Sequence, residues 1–242
     1  MGREPGAGMG HGMGPMIGGN MHGDMLGGKG LGRDFGHGRF GDPGAPDNSS
    51  CVFSATTGRL ACAAVTHDGL TINRSLAYAN AAGTVQSSFD SLTTDRINTQ
   101  ISVAGTITRR DSAATVLTHS SNRTISGLAK GSTRHTVNGT SVGHETTTGT
   151  RRDTAFTASR DVADTTSGLI VPVTDTGKTY PIAGTVIRNM KATRTVGGTT
   201  SSSTRREVVT YDGSATAKMV VTQDGTTKTC TMPLPFGRPT CQ

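Results

Sequence analysis

The sequence predicts an all-β protein: an antiparallel meander forming one large curved sheet, open or partly closed into a barrel. Three observations carry this expectation. Apolar residues recur at every second position in several separate stretches. Hairpin dipeptides such as Asp68-Gly69, Asn138-Gly139, Asp212-Gly213 and Asp224-Gly225 punctuate those stretches. The polar content is mostly Thr, Ser and Gly, and Thr is β-branched and stiff at χ1, which suits strands. No stretch of helical length shows a stripe of apolar residues at helical spacing.

In chain order, the first clear strand places Leu70, Ile72, Leu76 and Tyr78 on one face. The second alternates Ile97, Ile101, Val103 and Ile107 with Asn98, Gln100, Ser102 and Thr106. A third runs through Tyr180, Ile182, Val186, Met190 and Ala192, with Ile187 out of pattern. The last runs through Ala215, Ala217, Met219 and Val221. Ala81-Ala82-Gly83 reads as a short hairpin turn, and Gly197-Gly198 as the opening of a longer Ser/Thr loop. About eight to eleven strands are expected, each with one buried face. Hydrophobic residues make up only 32% of the chain, too few for a thick sandwich core. Val103-Ala-Gly-Thr-Ile-Thr-Arg109 echoes Ile182-Ala-Gly-Thr-Val-Ile-Arg188, and both are expected to open long strands.

The chain divides near residue 47 into an extended arm, 1–47, and a β domain, 48–242. The arm holds seventeen of the 34 glycines and six of the nine methionines. Such a segment cannot repay its ordering entropy by burying its own side chains. It is expected to take a fixed path only against another surface, which glycines can approach closely because they lack Cβ atoms. Met9, His11, Met13, Met16, Met21, His22 and Met25 are soft or borderline ligands that could hold copper. The competing expectation is that these methionines supply adaptable contacts to another protein.

Cys51 and Cys62 are separated by ten residues, and so are Cys230 and Cys241. Neither spacing is that of a zinc knuckle or a redox Cys-x-x-Cys. The local pairings Cys51–Cys62 and Cys230–Cys241 are expected, each closing a loop worth roughly 2–3 kcal/mol. Disulfides place the chain in an oxidising compartment, on the periplasmic side of a membrane or secreted. No stretch approaches the roughly eighteen apolar residues of a membrane-spanning helix.

Catalytic patterns are thin. Gly139-Thr-Ser-Val-Gly143 has the form of a nucleophile elbow, but that motif needs a helix after it, and Thr146-Thr-Thr-Gly-Thr-Arg-Arg152 is no helix. A hairpin turn in a Gly/Thr-rich segment is the expectation there. His144-Glu145 lacks the second His of a zincin, and no phosphate-cradling loop is present. No cofactor is expected. The net charge is +7, and Arg109-Arg110, Arg151-Arg152 and Arg205-Arg206 are candidate contacts to acidic partner surfaces or an anionic membrane. Nucleic acid is disfavoured by the few aromatics and the expected disulfides.

A Gly/Met/His-rich arm followed by Cys51-Val-Phe-Ser-Ala-Thr-Thr-Gly-Arg-Leu-Ala-Cys62, and long Thr/Arg strands including Tyr180-Pro-Ile-Ala-Gly-Thr-Val186, resembles secreted β-proteins of Gemmatimonas-type bacteria. The resemblance covers most of the chain as texture and short phrases. It implies a membrane-extrinsic subunit of a reaction centre–antenna complex, and it carries over no functional residues. The leading expectation is therefore a non-catalytic scaffold subunit docked on other subunits of a large membrane-bound assembly. A periplasmic carrier of a lipid or other apolar ligand is the alternative, and a copper-binding secreted protein is the third.

Overall fold

The computed structural model describes residues 50–108, 113–151, 153–173, 180–234 and 237–242. It contains fourteen strands: β1 Cys51–Ser54, β2 Arg59–Cys62, β3 Val65–His67, β4 Leu70–Asn80, β5 Val85–Gln86, β6 Thr94–Thr108, β7 Ala114–Ser126, β8 Arg134–Arg151, β9 Thr154–Pro172, β10 Ala183–Val196, β11 Thr199–Thr210, β12 Thr216–Gln223, β13 Thr226–Pro233 and β14 Thr240–Cys241. All pair antiparallel in one sheet that is not closed into a barrel. The count exceeds the expected eight to eleven because five of the strands have four residues or fewer.

The order β1-β2-β4-β6-β7-β8-β9-β10-β11-β12-β13-β14 is a meander, each strand lying beside its predecessor, with β3 and β5 completing the outer side of β4. The central strands are the longest. β9 has 19 residues, which at ~3.3 Å per residue is about 60 Å.

Because side chains alternate, the cross-strand register assigns every residue to one of two faces. Leu70, Ile72, Leu76 and Tyr78 share a face with Ile97, Ile101 and Val103. Following the register onward, Leu117 and Ile125 lie on that face, as do Val137 and Leu169, and Val209, Met219 and Cys230. Every residue of the buried core lies here, so this is the apolar face. Its opposite is the outer face.

The core forms four clusters. Leu60, Leu76, Tyr78 and Ile97 pack with Phe53, Phe89 and Leu128. Leu70, Val103 and Leu117 pack with Ile72, Ile101 and Ile107. Val137, Leu169 and Val171 pack with Ile125 and Tyr211. Val209, Ala217, Met219, Val221 and Cys230 form the fourth, near the C-terminus. Ile187, the residue out of pattern, faces outward beside its register partners Val208 and Val220.

Three expectations are corrected by the strand bounds. Asn138-Gly139 is not a turn but lies inside β8. The Asn138 side-chain oxygen accepts the Gly168 N–H at 2.7 Å, at a bulge in the β8–β9 ladder. The hairpin between β7 and β8 turns instead at 127–133. Gly197-Gly198 makes a two-residue turn and opens no loop, since Thr199–Thr204 begins β11. Tyr180 and Ile182 precede β10 rather than belonging to it, and Ile182 is exposed.

The internal echo has a structural counterpart, although only its second copy opens a strand. Val103–Thr108 closes β6, whereas Ala183–Arg188 opens β10. In each copy the glycine, Gly105 or Gly184, faces a neighbouring Gly-Leu, Gly69-Leu70 or Gly168-Leu169. A Cβ at Gly184 would run into Leu169 main chain, and one at Gly105 into Gly69 main chain. Both leucines are buried. The backbone approach that only glycine permits thus seats a core leucine at each site.

Candidate functional site

Both expected disulfides are present. Cys51 bonds Cys62 and Cys230 bonds Cys241. In each pair the two cysteines are directly opposed, joining β1 to β2 and β13 to β14 at the two edges of the sheet. Exposed edge strands are templates for unwanted pairing. Here each edge ends in a very short strand held by a covalent bond.

The arginine doublets separate. Arg109, Arg110 and Arg152 lie outside the described residues, as do Met9, His11, Met13, Met16, Met21, His22 and Met25. Arg151 is exposed at the end of β8. Consecutive strand residues face opposite ways, so Arg205 points to the apolar face and Arg206 to the outer face. Arg205 is 8% exposed, and its Nε donates to Glu207 Oε1 at 2.7 Å and its Nη1 to Gln223 Oε1 at 3.0 Å. Arg205 is therefore withdrawn as a partner-contact residue, and Arg206 remains.

Along the middle of the apolar face, polar groups replace the core. Arg160 Nε stands 3.1 Å from Glu145 Oε1. Thr115 and Thr147 share a hydroxyl hydrogen bond of 2.9 Å. Burial pushes the Tyr211 phenol above its ordinary pKa, opposed by the Arg188 charge nearby. Among the described residues no group of three or more His, Cys, Asp or Glu is placed to hold a metal.

The outer face carries a trough across the strands. One stretch of about 770 Å3 is lined by residues of β6 to β12, among them Val142, His144, Asp161 and Arg206. A second stretch of about 550 Å3 runs back to Ala61 and Cys62 of β2. The two share Ser102, Ser120 and Val142. The lining takes in the residues flanking Gly143 and Val162, but not the apolar-face side chains Glu145, Arg160 and Asp164 two residues away. This places the trough on the outer face. Short hydroxyl and amide side chains recur along its walls, amid a lining of the larger stretch that is mainly apolar, with Val142 exposed between the two stretches. At the near end Arg59 donates to Asn98 Oδ1 at 2.8 Å and to Ser75 Oγ at 3.0 Å, and partial burial lowers its pKa from the ordinary value.

In the wall of this trough His144 Nδ1 lies 2.7 Å from Asp161 Oδ1, and its Nε2 lies 3.0 Å from Thr146 Oγ1. Hydroxyl, imidazole and carboxylate stand in series, the order of a nucleophile, its base and its orienter. The strands here have neighbours on both sides, so their N–H groups point along the sheet rather than into the trough. An oxyanion would find no backbone donors aimed at it. Ser141 of the Gly-x-Ser-x-Gly sequence faces away from His144, as does Glu145, because each is an odd number of residues from it.

The trough was not foreseen. Its residues are the outward-facing partners of the apolar pattern, and short polar side chains give no periodic signal of their own. Comparisons with family models, with curated proteins and with solved structures return no match.

Proposed function

We propose that this chain is a non-catalytic structural subunit, held on the extracytoplasmic side of a membrane by contacts with a larger protein assembly. The observation that carries this reading is the broad, exposed outer face of an open sheet. The outermost strands β1 and β14 are short and each is disulfide-bonded to its neighbour, so the faces are the sheet's largest surface for contact. Strands β6 to β12 alone span about 30 Å at ~4.8 Å per strand, and twelve residues of strand add about 40 Å, so the face offers on the order of 1,200 Å2. A standard interface needs about 800 Å2 per partner.

The charge supports an acidic partner surface. The chain carries +7 overall, and Lys191 and Arg206 project from the outer face where a partner can meet them. Such charges steer encounter and set orientation more than they add affinity. The two disulfides fit an oxidising compartment, and no helix among the described residues is long and apolar enough to cross a membrane. A photosynthetic reaction centre–antenna complex is the specific assembly proposed.

Gentle detergent solubilisation of membranes followed by density-gradient fractionation tests this. The chain should comigrate with a large complex at low salt and leave it at high salt, and pigment in those fractions would identify the photosynthetic assembly. Migration as a free species of the chain's own mass, 24.9 kDa, under all conditions would overturn the scaffold reading and favour a carrier.

A further inference from the structure

We infer that the trough on the outer face is the seat of the chain's own N-terminal arm, residues 1–47. This goes beyond the scaffold reading: a seated arm forms part of the surface that the outer face offers a partner, and the seating can hold where that reading fails.

The first ground is position. The trough ends at Ala61 and Cys62. Cys62 is bonded to Cys51, and the Ser50 carbonyl accepts the Ala63 N–H at 3.2 Å. The chain therefore enters the described sheet at Ser50, beside the mouth of the trough and three residues after the arm's end in sequence.

The second ground is reach. The trough crosses nine strands from β2 to β12, about 40 Å at ~4.8 Å per strand. A dozen extended residues cover that distance at ~3.3 Å each, and the arm has 47.

The third ground is shape and hydrogen bonding. The walls carry Ser102, Thr118, Ser120, Asn122 and Thr140 on neighbouring strands, a row of short donors and acceptors. A partner of matching chemistry is bare main chain, which offers one donor and one acceptor per residue. Glycine presents that main chain without a Cβ to hold it off, and 17 of the arm's 47 residues are glycine.

The fourth ground is charge. Four of the 24 Lys and Arg and five of the 17 Asp and Glu lie in residues 1–47, so the arm carries −1 and residues 48–242 carry +8. Arg59 stands by the near end of the trough, and Lys191 and Arg206 line the far stretch. Asp42 and Asp47 are close enough in sequence to Cys51 to meet the near end.

A photocrosslinking residue placed at Val142 in the full chain tests the seating. Expected are intramolecular cross-links to peptides from residues 1–47, in unchanged yield on dilution, because a tether holds the arm at an effective concentration on the order of millimolar. The same probe at Val173, which does not line the trough, should give none. Charge reversal with R206E and K191E should lower the Val142 yield about threefold at low salt, and less at high salt. A cross-linked dimer in place of the internal link would overturn docking within one chain. Absence of arm peptides, or equal yield from Val173, would overturn the trough as its seat. A chain that cross-links internally yet sediments free of membranes would sink the scaffold and keep this inference.

Discussion

The flanks of the sheet and its middle are built on different principles. Around β4–β6 and β11–β13 the apolar face is packed with Leu76, Tyr78, Val209 and Met219, all at most 5% exposed. Across β8 and β9, from Asn138 to Arg151 and from Thr154 to Gly168, no residue is buried to that degree. That stretch rests on ladder hydrogen bonds, hydroxyl pairs and the Glu145–Arg160 contact. Hydrogen bonds exchanged with water contribute about 1 kcal/mol each at best, whereas burying one Leu contributes about 1.5–3 kcal/mol. The comparison teaches that the middle is extended because its neighbours on both sides are anchored, not because it could stand alone.

The largest effect should come from the flanking cores. Leu76→Ala is expected to cost about 2–5 kcal/mol by transfer and cavity terms, read from urea midpoints, while Val142→Ala on the outer face should stay within about 0.5 kcal/mol. Equal costs would erase the contrast. Next, replacing the Cys230–Cys241 pair with alanines should cost about 2–3 kcal/mol. Melting with and without reductant would check it, and the reductant should have a further effect through Cys51–Cys62 alone.

Gly184→Ala should follow at about 1–3 kcal/mol, since the left-handed φ of 112° and the Leu169 main chain both oppose a Cβ. Glu145→Gln tests the middle itself. It leaves Arg160 without its carboxylate and is expected to cost about 1 kcal/mol, because both side chains are only partly exposed. Hydrogen exchange should find Glu145–Arg160 amides opening more readily than those of β4 and β12.

The smallest effect is on pH. Burial holds His135 below the ordinary histidine pKa, against the pull of Asp95. The folded state thus binds its proton less readily than the unfolded chain. Stability from this group is present above about pH 6.5 and declines as pH falls through that value. His135→Gln should flatten that slope in a series of denaturant midpoints. The hydrogen-bonded carboxylates of Asp212 and Asp224 are held below their ordinary range by Ser214, and by Thr204 and Ser203. Their contribution is present above about pH 4 and lost on further acidification.

The same contrast explains what the sequence made legible. The flanks were readable because Leu70 to Tyr78 and Ala217 to Val221 alternate cleanly, and because cysteines at equal spacing oppose each other across a hairpin. Asp68-Gly69 and Asp224-Gly225 turn where hairpin chemistry says they should, with both aspartates at positive φ. The middle was misread where local signals had another use. Asn138-Gly139 has turn chemistry, yet the Asn caps a bulge and the Gly lets the Arg123 backbone of β7 approach. Thr199–Thr204 has the composition of a loop, but pairing with β10 makes it strand. Arg205 and Arg206 look like one basic site, and only the register shows that one of them is buried. The trough needs nine strands brought side by side, and no single stretch of sequence contains it.

Each strand of the meander pairs only with strands close to it in the chain. Ordering the polypeptide therefore never requires distant segments to find one another, which keeps loop-closure costs low. A duplicated or deleted hairpin would leave the remaining pairings in place. The width of this sheet is accordingly a quantity that inheritance can lengthen or shorten two strands at a time, provided that a stapled pair is kept at each end.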